Sequence, residues 1–229
     1  MQYLISTSNL CKYYSDTKAL HNLTIHIPKG AIYGLIGANG AGKTTFLRLL
    51  CHLSKSTSGD ILTDSTVSRS AMIESPALYP LWSASRNLHY QMMLSGNKTK
   101  SISELLDMVH LKDAKKPVFH FSLGMKQRLG IAMALVNQPD LLILDEPFNG
   151  LDPEGMNDMN QILTSIRDKF GTTILISSHL LPELQKIATH YALIQHGELV
   201  REFDASELGH TNLENLYFLL GGNNHDSFI

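Results

Sequence analysis

A glycine-rich segment that ends in lysine and threonine is the strongest chemical signal in the sequence. Residues 37–44 run Gly-Ala-Asn-Gly-Ala-Gly-Lys-Thr and fit the pattern G-x-x-x-x-G-K-[ST]. Glycines let backbone N–H groups approach phosphate oxygens closely, and a helix that begins here adds the partial positive charge of its N-terminus. We therefore predict a triphosphate site in which the Lys43 amine reaches the β- and γ-phosphates and the Thr44 hydroxyl binds Mg²⁺. The other predicted contacts with the nucleotide in this segment are Gly37, Asn39, Gly40, Ala41, Gly42 and Thr45.

Two adjacent carboxylates form the second signal. Asp145 and Glu146 follow the apolar run Leu-Leu-Ile-Leu at residues 141–144, which is typical of a buried strand. Because side chains alternate along a strand, neighbouring carboxylates can take different tasks. We predict that Asp145 holds Mg²⁺ through its water shell and that Glu146 polarises the water that attacks the γ-phosphate.

The patterns around these motifs predict the elements that hold them. Residues 31–37 are typical of a buried strand and residues 43–53 of a helix, so the glycine-rich segment lies in the loop between them. A helix-only block at about residues 83–120 separates two regions in which strands and helices alternate, which predicts an α/β core with an inserted helical subdomain. Further predicted elements are helices over 83–94, 101–109, 123–136 and 153–169, a strand over 172–177, a turn at 58–60 and a hairpin formed by 191–195 and 198–203.

Three more motifs occur in the order typical of one family. Together with the first two signals, they make residues 4–203 resemble the ATP-binding subunits of ABC transporters. Residues 121–128, Phe-Ser-Leu-Gly-Met-Lys-Gln-Arg, are similar to the family's signature segment. Residues 149–152, Asn-Gly-Leu-Asp, match its D-loop, and Ser-Ser-His at 177–179 matches its switch histidine. The resemblance implies that Tyr14 stacks on adenine, that Ser122 and Gly124 contact the γ-phosphate of ATP on a second copy, that Asp152 contacts the nucleotide, and that His179 is catalytic.

The resemblance also implies the architecture and the partners. It implies a P-loop ATPase core of the ABC type, with an N-terminal antiparallel β subdomain and an inserted α-helical subdomain. The whole chain, 1–229, is then one domain: a core at about 1–82 and 121–205, a helical subdomain at about 83–120 and a helical tail at about 206–229. ATP and Mg²⁺ are the implied cofactors. The implied partners are a second copy, bound head to tail, and separate transmembrane permease subunits.

Two segments depart from the family pattern. Leu123 and Met125 replace the first glycine and the glutamine of the signature, while Ser122 and Gly124 are retained. Glu74 stands where the family usually has glutamine ahead of a Tyr-Pro segment. We predict that Glu74 is a metal ligand and a catalytic residue; the alternative is a neutral exchange of one oxygen ligand for another. Two prolines among residues 74–82 predict a loop that joins the core to the helical block.

The segments 73–80, 121–132 and 212–218 resemble one subgroup, the ATPases of bacterial transporters for lantibiotic immunity and bacitracin resistance. This predicts a role in moving an antimicrobial peptide away from the membrane. Two alternatives stay open: another ABC exporter, for a drug or a lipid-linked substrate, and a soluble ABC ATPase that acts on a protein assembly. DNA-repair ATPases are excluded because the stretch from Thr45 to His120 has no room for their long coiled coil, and tandem translation factors are excluded because there is one P-loop.

Composition limits the classes of protein to which this chain could belong. Lys and Arg total 19 against 21 for Asp and Glu, a formal net charge of −2, so no global field attracts nucleic acid. The two cysteines, Cys11 and Cys51, are isolated, which suits a reducing compartment. We find no signal peptide and no apolar run of the roughly 18 residues that a membrane span requires. These features predict a cytoplasmic protein that works on the inner face of the membrane through a partner.

Overall fold

A computed structural model describes residues 2–96, 100–112, 115–209 and 211–221. The chain folds into two sheets with helices packed around them. In chain order the strands are β1 (Tyr3–Tyr14), β2 (Thr17–Leu23), β3 (His26–Pro28), β4 (Ile32–Ile36), β5 (Ser58–Thr63), β6 (Arg69–Met72), β7 (Leu141–Asp145), β8 (Thr173–Ser178), β9 (His190–Gln195) and β10 (Glu198–Asp204). The α-helices are α1 (Lys43–Leu50), α2 (Ala84–Ser95), α3 (Ile102–Met108), α4 (Leu123–Ala134), α5 (Pro153–Phe170), α6 (Leu181–Ile187) and α7 (Leu213–Leu219).

The larger sheet places the predicted catalytic motifs at one edge. It has six strands in the order β10-β9-β4-β8-β7-β6. Strands β9, β4, β8, β7 and β6 run parallel, and β10 closes the sheet as the antiparallel partner of β9. Every residue of β4, β7 and β8 is buried, as expected for parallel strands covered on both faces. In the register, Asp145 lies opposite Ser177, so the strand ends that carry the two motifs are neighbours.

The smaller sheet is antiparallel, as the predicted architecture requires. Strand β1 pairs with β2, β3 and β5, each in the antiparallel sense. Its apolar side chains pack with α1 in one core, which includes Leu10, Ile25 and Phe46. The opposite face of the larger sheet packs against α4, α5 and α6 in a second core, which includes Leu129, Ile162 and Leu184.

The predicted turn at residues 58–60 is wrong. These residues begin β5, where Ser58 pairs with Cys11 and Asp60 with Ser8. The register shift between those pairs marks a bulge at which both Asn9 and Gly59 have positive φ, 47° and 77°. A Cβ atom on Gly59 would lie 2.2 Å from the Asn9 carbonyl oxygen. Glycine is therefore required here because β5 lies very close to β1, and not because the chain turns.

Most of the other predicted elements are present, with changed ends. The helix expected over 43–53 ends at Leu50, and the helix expected over 123–136 ends at Ala134 and continues as a 3₁₀ turn, Leu135–Asn137. Strands β9 and β10 form the predicted hairpin. Residues 73–83 contain no helix or strand, so the loop prediction is confirmed. Part of the expected helical block, at 97–99 and 113–114, and the end of the expected tail, at 222–229, lie outside the described residues.

No helix within the described ranges combines the length and the apolar character that a membrane span requires.

Candidate functional site

The glycine-rich segment forms a loop whose back is packed and whose front is open. A Cβ atom on Gly37 would lie 2.4 Å from the Ile194 carbonyl oxygen, and one on Gly42 would lie 2.5 Å from the Ala19 carbonyl oxygen. Glycine is therefore required where the loop lies against β9 and β2. Gly40 has φ of 80°, and a Cβ atom there would meet nothing within 4 Å among the described residues. The loop thus presents its free side to a ligand directly before α1 begins, as a phosphate cradle does.

Lys43 lies at the base of this loop and is only 6% exposed. Its Nζ donates hydrogen bonds to the carbonyl oxygens of Gly37 at 2.6 Å and Ala38 at 3.2 Å. The same ammonium lies 3.5 Å from Oε1 of Glu146. A buried charge needs such partners, and together they hold the ammonium against the backbone of the glycine-rich loop.

Thr44 and Asp145 meet across the gap between α1 and β7. The Thr44 hydroxyl donates to Oδ2 of Asp145 at 2.8 Å. The Ser177 hydroxyl donates to the other carboxylate oxygen, Oδ1. Hydroxyl and carboxylate oxygens are ligands that Mg²⁺ prefers, and Mg²⁺ in nucleotide sites keeps several waters and phosphate oxygens besides one or two protein ligands. The pair therefore fits magnesium, although within the described ranges no cluster of three or more His, Cys, Asp or Glu side chains forms a complete metal cage.

Glu146 is held in an unusual conformation beside this pair. Its φ is 51°, a left-handed value that costs energy in a residue other than glycine and is often found at functional sites. The backbone is fixed there by the Glu146 N–H, which donates to the Ser177 carbonyl oxygen at 3.0 Å. Oε2 accepts from His179 N–H at 3.3 Å and lies 2.8 Å from His179 Nδ1. Oε1 is buried, faces the Lys43 ammonium at 3.5 Å and has no hydrogen-bond partner in the part of the chain that the structure describes, so it can still accept a hydrogen bond.

Tyr14 lies at the tip of the β1–β2 hairpin, opposite Thr17. The following residues of β2 pack against the phosphate loop through the contact between Ala19 and Gly42. The Tyr14 ring is 44% exposed, with the Lys12 ammonium 4.7 Å from its centroid. The ring is accessible near the loop, as stacking on a base requires.

The signature segment begins α4. Ser122 is the N-cap, and its Oγ accepts from Met125 N–H at 3.2 Å. With Gly124 it lines a cavity of about 450 Å³ between α4 and residues 150–159, and no residue of the phosphate loop lines that cavity. Asp152 lines it too, but its carboxylate caps α5 by accepting from Gly155 N–H at 2.9 Å. Within one chain, the structure therefore separates Ser122, Gly124 and Asp152 from the phosphate cradle.

Glu74 has a partner that the sequence analysis did not identify. Its exposed carboxylate forms an ion pair with Arg48, near the end of α1. No local pattern signals this contact, because Arg48 on α1 and Glu74 in the loop after β6 are 26 residues apart and meet only in the folded chain. The Asp145 contact with Ser177 was missed as well, because it depends on the register between two strands that are distant in the sequence.

Comparisons with known proteins identify the family. The sequence profile described as "ABC transporter" matches residues 20–149. An uncharacterised ABC transporter ATP-binding protein, YcbN of Bacillus subtilis, is 45% identical over 93% of this chain and 74% of its own length. The bacitracin transport ATP-binding protein BcrA of Enterococcus faecalis is 41% identical over 93% of this chain and 73% of its own length. The lantibiotic transport ATP-binding protein SrtF of Streptococcus pyogenes is 42% identical over 93% of this chain and 96% of its own length.

Solved structures confirm the fold. A structure described as the ATP-binding subunit of an ABC transporter superposes with a TM-score of 0.82 and 26% identity, and covers 95% of this chain and 99% of that one. The cassette MJ0796, described as bound to ADP and Pi, has a TM-score of 0.79 and 23% identity, with 88% of this chain and 98% of that one covered. Profile, relatives and fold agree, and the chain belongs to the ABC transporter family as an ATP-binding subunit.

Proposed function

We propose that this subunit powers the export of an antimicrobial peptide of the lantibiotic or bacitracin type through separate transmembrane permease subunits. The observation that carries the proposal is the identity of 41–42% to relatives named for bacitracin and lantibiotic transport. The resemblance of the segments 73–80, 121–132 and 212–218 to the ATPases of this subgroup points the same way. In this proposal the subunit works on the cytoplasmic face of the membrane and is held there by the permease.

The geometry supports a direct attack of water on the γ-phosphate. The phosphate loop and Lys43 would bind and orient the β- and γ-phosphates. Oε1 of Glu146 would accept the proton of the attacking water, and His179 would keep the carboxylate in position through Oε2. Thr44 and Asp145 would hold Mg²⁺, which when bound neutralises charge on the phosphates. Each of these roles is supported by a contact that is already formed within one chain.

A second copy would complete each site. Ser122 caps α4 on the surface of the molecule, and the N-terminus of α4, with the backbone of Gly124, offers an anion site. The cavity at this helix start contains no phosphate-loop residue of its own chain. In a head-to-tail dimer it would face the γ-phosphate bound to the other copy, with Asp152 beside it. We infer that two copies enclose two Mg·ATP in this way.

Mixing two inactive variants tests the shared sites. Ser122→Arg places a bulky cation where the phosphate of the other copy should bind, and Lys43→Ala damages the chain's own cradle. In a mixed dimer one site carries both changes and the other is intact. We expect the mixture to hydrolyse ATP clearly faster than the sum of the separate variants. No gain in dimers shown by differential tags to be mixed would contradict the shared-site proposal.

Peptide resistance tests the proposed cargo. Cells that express the subunit with the permease subunits that co-purify with it should tolerate several-fold more of a lantibiotic or bacitracin than cells that lack it. A Glu146→Gln subunit should give no protection, because its turnover falls by roughly 10²–10⁴-fold. Equal growth of wild-type and Glu146→Gln cells with every peptide tested would reject the peptide proposal and favour another exported substrate or a protein assembly.

A further inference from the structure

The loop that carries Glu74 begins in a strained turn. Ser75 N–H donates to the Ile73 carbonyl oxygen at 2.9 Å, so Glu74 is the central residue of a three-residue turn. Its φ of 66° makes this the γ-turn form that is rare and strained in residues other than glycine. Such a conformation persists only when neighbouring contacts hold it. The contact present at Glu74 is its ion pair with Arg48.

The position of Arg48 connects this turn with the magnesium pair. Arg48 follows Thr44 by four residues in α1, so both side chains lie on the same face, about 6 Å apart along the helix axis. Glu74 approaches Arg48 from the larger sheet, in the loop that follows β6. Met72 pairs with Leu144 in the register of β6 and β7, and the loop leaves the sheet at the edge where Asp145 ends β7. Glu74 is thus paired with a residue that lies about one helical turn along α1 from Thr44, which would bind the proposed magnesium.

The ion pair is weak enough to exchange. Both side chains are exposed to solvent, and exposed ion pairs contribute little to stability. Direct coordination of Mg²⁺ by a carboxylate oxygen is a stronger contact than an exposed ion pair with one arginine, although the phosphates oppose it by repulsion. A small movement of the turn would therefore transfer Glu74 from Arg48 to the metal.

The other end of the loop is tied to the helices. Tyr79 N–H donates to the buried Asn87 side chain of α2 at 2.8 Å, and the Asn87 amide donates back to the Tyr79 carbonyl oxygen at 3.2 Å. Pro76 packs against α4, where a Cβ atom on Gly130 would lie 2.5 Å from the Pro76 ring. Movement at Glu74 would therefore reach both α2 and α4.

We propose that Arg48 is a positioning residue that competes with magnesium for Glu74 and holds the loop in its strained turn until Mg·ATP binds. The inference goes beyond the peptide cargo and rests only on the proposed magnesium site. Arginine at this position gives the acidic loop two alternative partners. A neutral glutamine at position 74 could not distinguish them by charge.

The test measures how much Mg²⁺ is needed for nucleotide binding. A fluorescent ATP analogue would be titrated with Mg²⁺ in a Glu146→Gln background, in which hydrolysis does not interfere. Arg48→Ala should lower the Mg²⁺ concentration for half-maximal binding by about two- to fivefold, the range expected from loss of one exposed ion pair. With Glu74→Gln in addition, the same substitution should have no such effect. Arg48→Lys should stay close to the parent because it keeps the positive charge.

Arg201→Ala is the matched control, because Arg201 on β10 forms an exposed ion pair with Glu207, which follows the strand. It should leave the Mg²⁺ requirement unchanged. Hydrogen exchange gives a second readout: the Ser75 amide should exchange faster in Arg48→Ala than in the parent. The inference is overturned if Arg48→Ala lowers the Mg²⁺ requirement equally with and without the Glu74→Gln change. It is also overturned if the hydrogen-exchange rate of the Ser75 amide is the same in Arg48→Ala as in the parent. If nucleotide binding by the parent does not depend on Mg²⁺, the proposed magnesium site is rejected, and the inference with it.

Discussion

Glu146→Gln is expected to lower the rate of ATP hydrolysis by roughly 10²–10⁴-fold while nucleotide binding is kept. Oε1 of Glu146 is the buried acceptor that has no hydrogen-bond partner within the described ranges, and an amide at this position cannot take up a proton. The amide has the same size and can still contact His179, so the phosphate loop and Lys43 should remain in place. Phosphate release under saturating Mg·ATP measures the first effect, and equilibrium binding of a fluorescent ATP analogue measures the second.

A slow ATPase with intact binding should also leave a long-lived dimer. Two copies with bound ATP would accumulate, and size-exclusion chromatography with light scattering would detect them. Glu198→Gln makes the same chemical change at an exposed position of β10 and should behave as the wild type. If Glu146→Gln hydrolyses ATP at the wild-type rate, Glu146 is not the general base.

Lys43→Ala is expected to weaken ATP binding by about 10- to 100-fold, which corresponds to the loss of one charge-assisted hydrogen-bond donor to phosphate. The ammonium is almost fully buried beneath the loop, so solvent cannot replace it easily. Its removal also deprives the half-buried Glu146 carboxylate of a cation 3.5 Å away. Hydrolysis should therefore fall together with binding. Calorimetry with a non-hydrolysable ATP analogue measures the affinity directly.

Two further measurements make the Lys43 result interpretable. Thermal unfolding followed by circular dichroism should show that Lys43→Ala is still folded, because the glycine contacts that shape the loop are unchanged. Lys169→Ala removes the same charge from an exposed position at the end of α5 and should leave ATP affinity as it is. An unchanged affinity in Lys43→Ala would reject the assignment of residues 37–44 as the phosphate cradle.

Local patterns predicted the parts of the site that depend on nearby residues. The spacing of Ser101 and Glu104 is that of a capping box, and the structure contains one; Asp152 and Pro153 begin α5 as N-cap and first helical residue. Such features are local because the groups that satisfy the free N–H donors of a helix lie within one turn of it. The loop over 74–82 was predictable for the same reason, since proline removes a donor and restricts the residue before it.

Interactions that depend on strand register could not be predicted from the sequence. Nothing in residues 58–60 shows that Gly59 crosses Asn9 in a bulge, since the strand that requires the close approach lies about 50 residues earlier in the chain. The same holds for the contacts of Glu146 with Ser177 and His179, which join the ends of β7 and β8. A one-residue shift between these parallel strands would turn the side chains to the opposite face.

The sequence by itself determined which groups could do the chemistry and the local backbone that presents them. Residue types and spacing predicted the phosphate loop and the adjacent carboxylates, because phosphate geometry and helix ends favour those patterns. The signature serine and the switch histidine were predicted from the resemblance to a family. Only the tertiary structure decided which groups act together. In the folded chain Asp145 contacts Ser177, Glu146 contacts His179 and Glu74 contacts Arg48. These contacts join elements that are distant in the chain and meet only when the sheets and α1 pack.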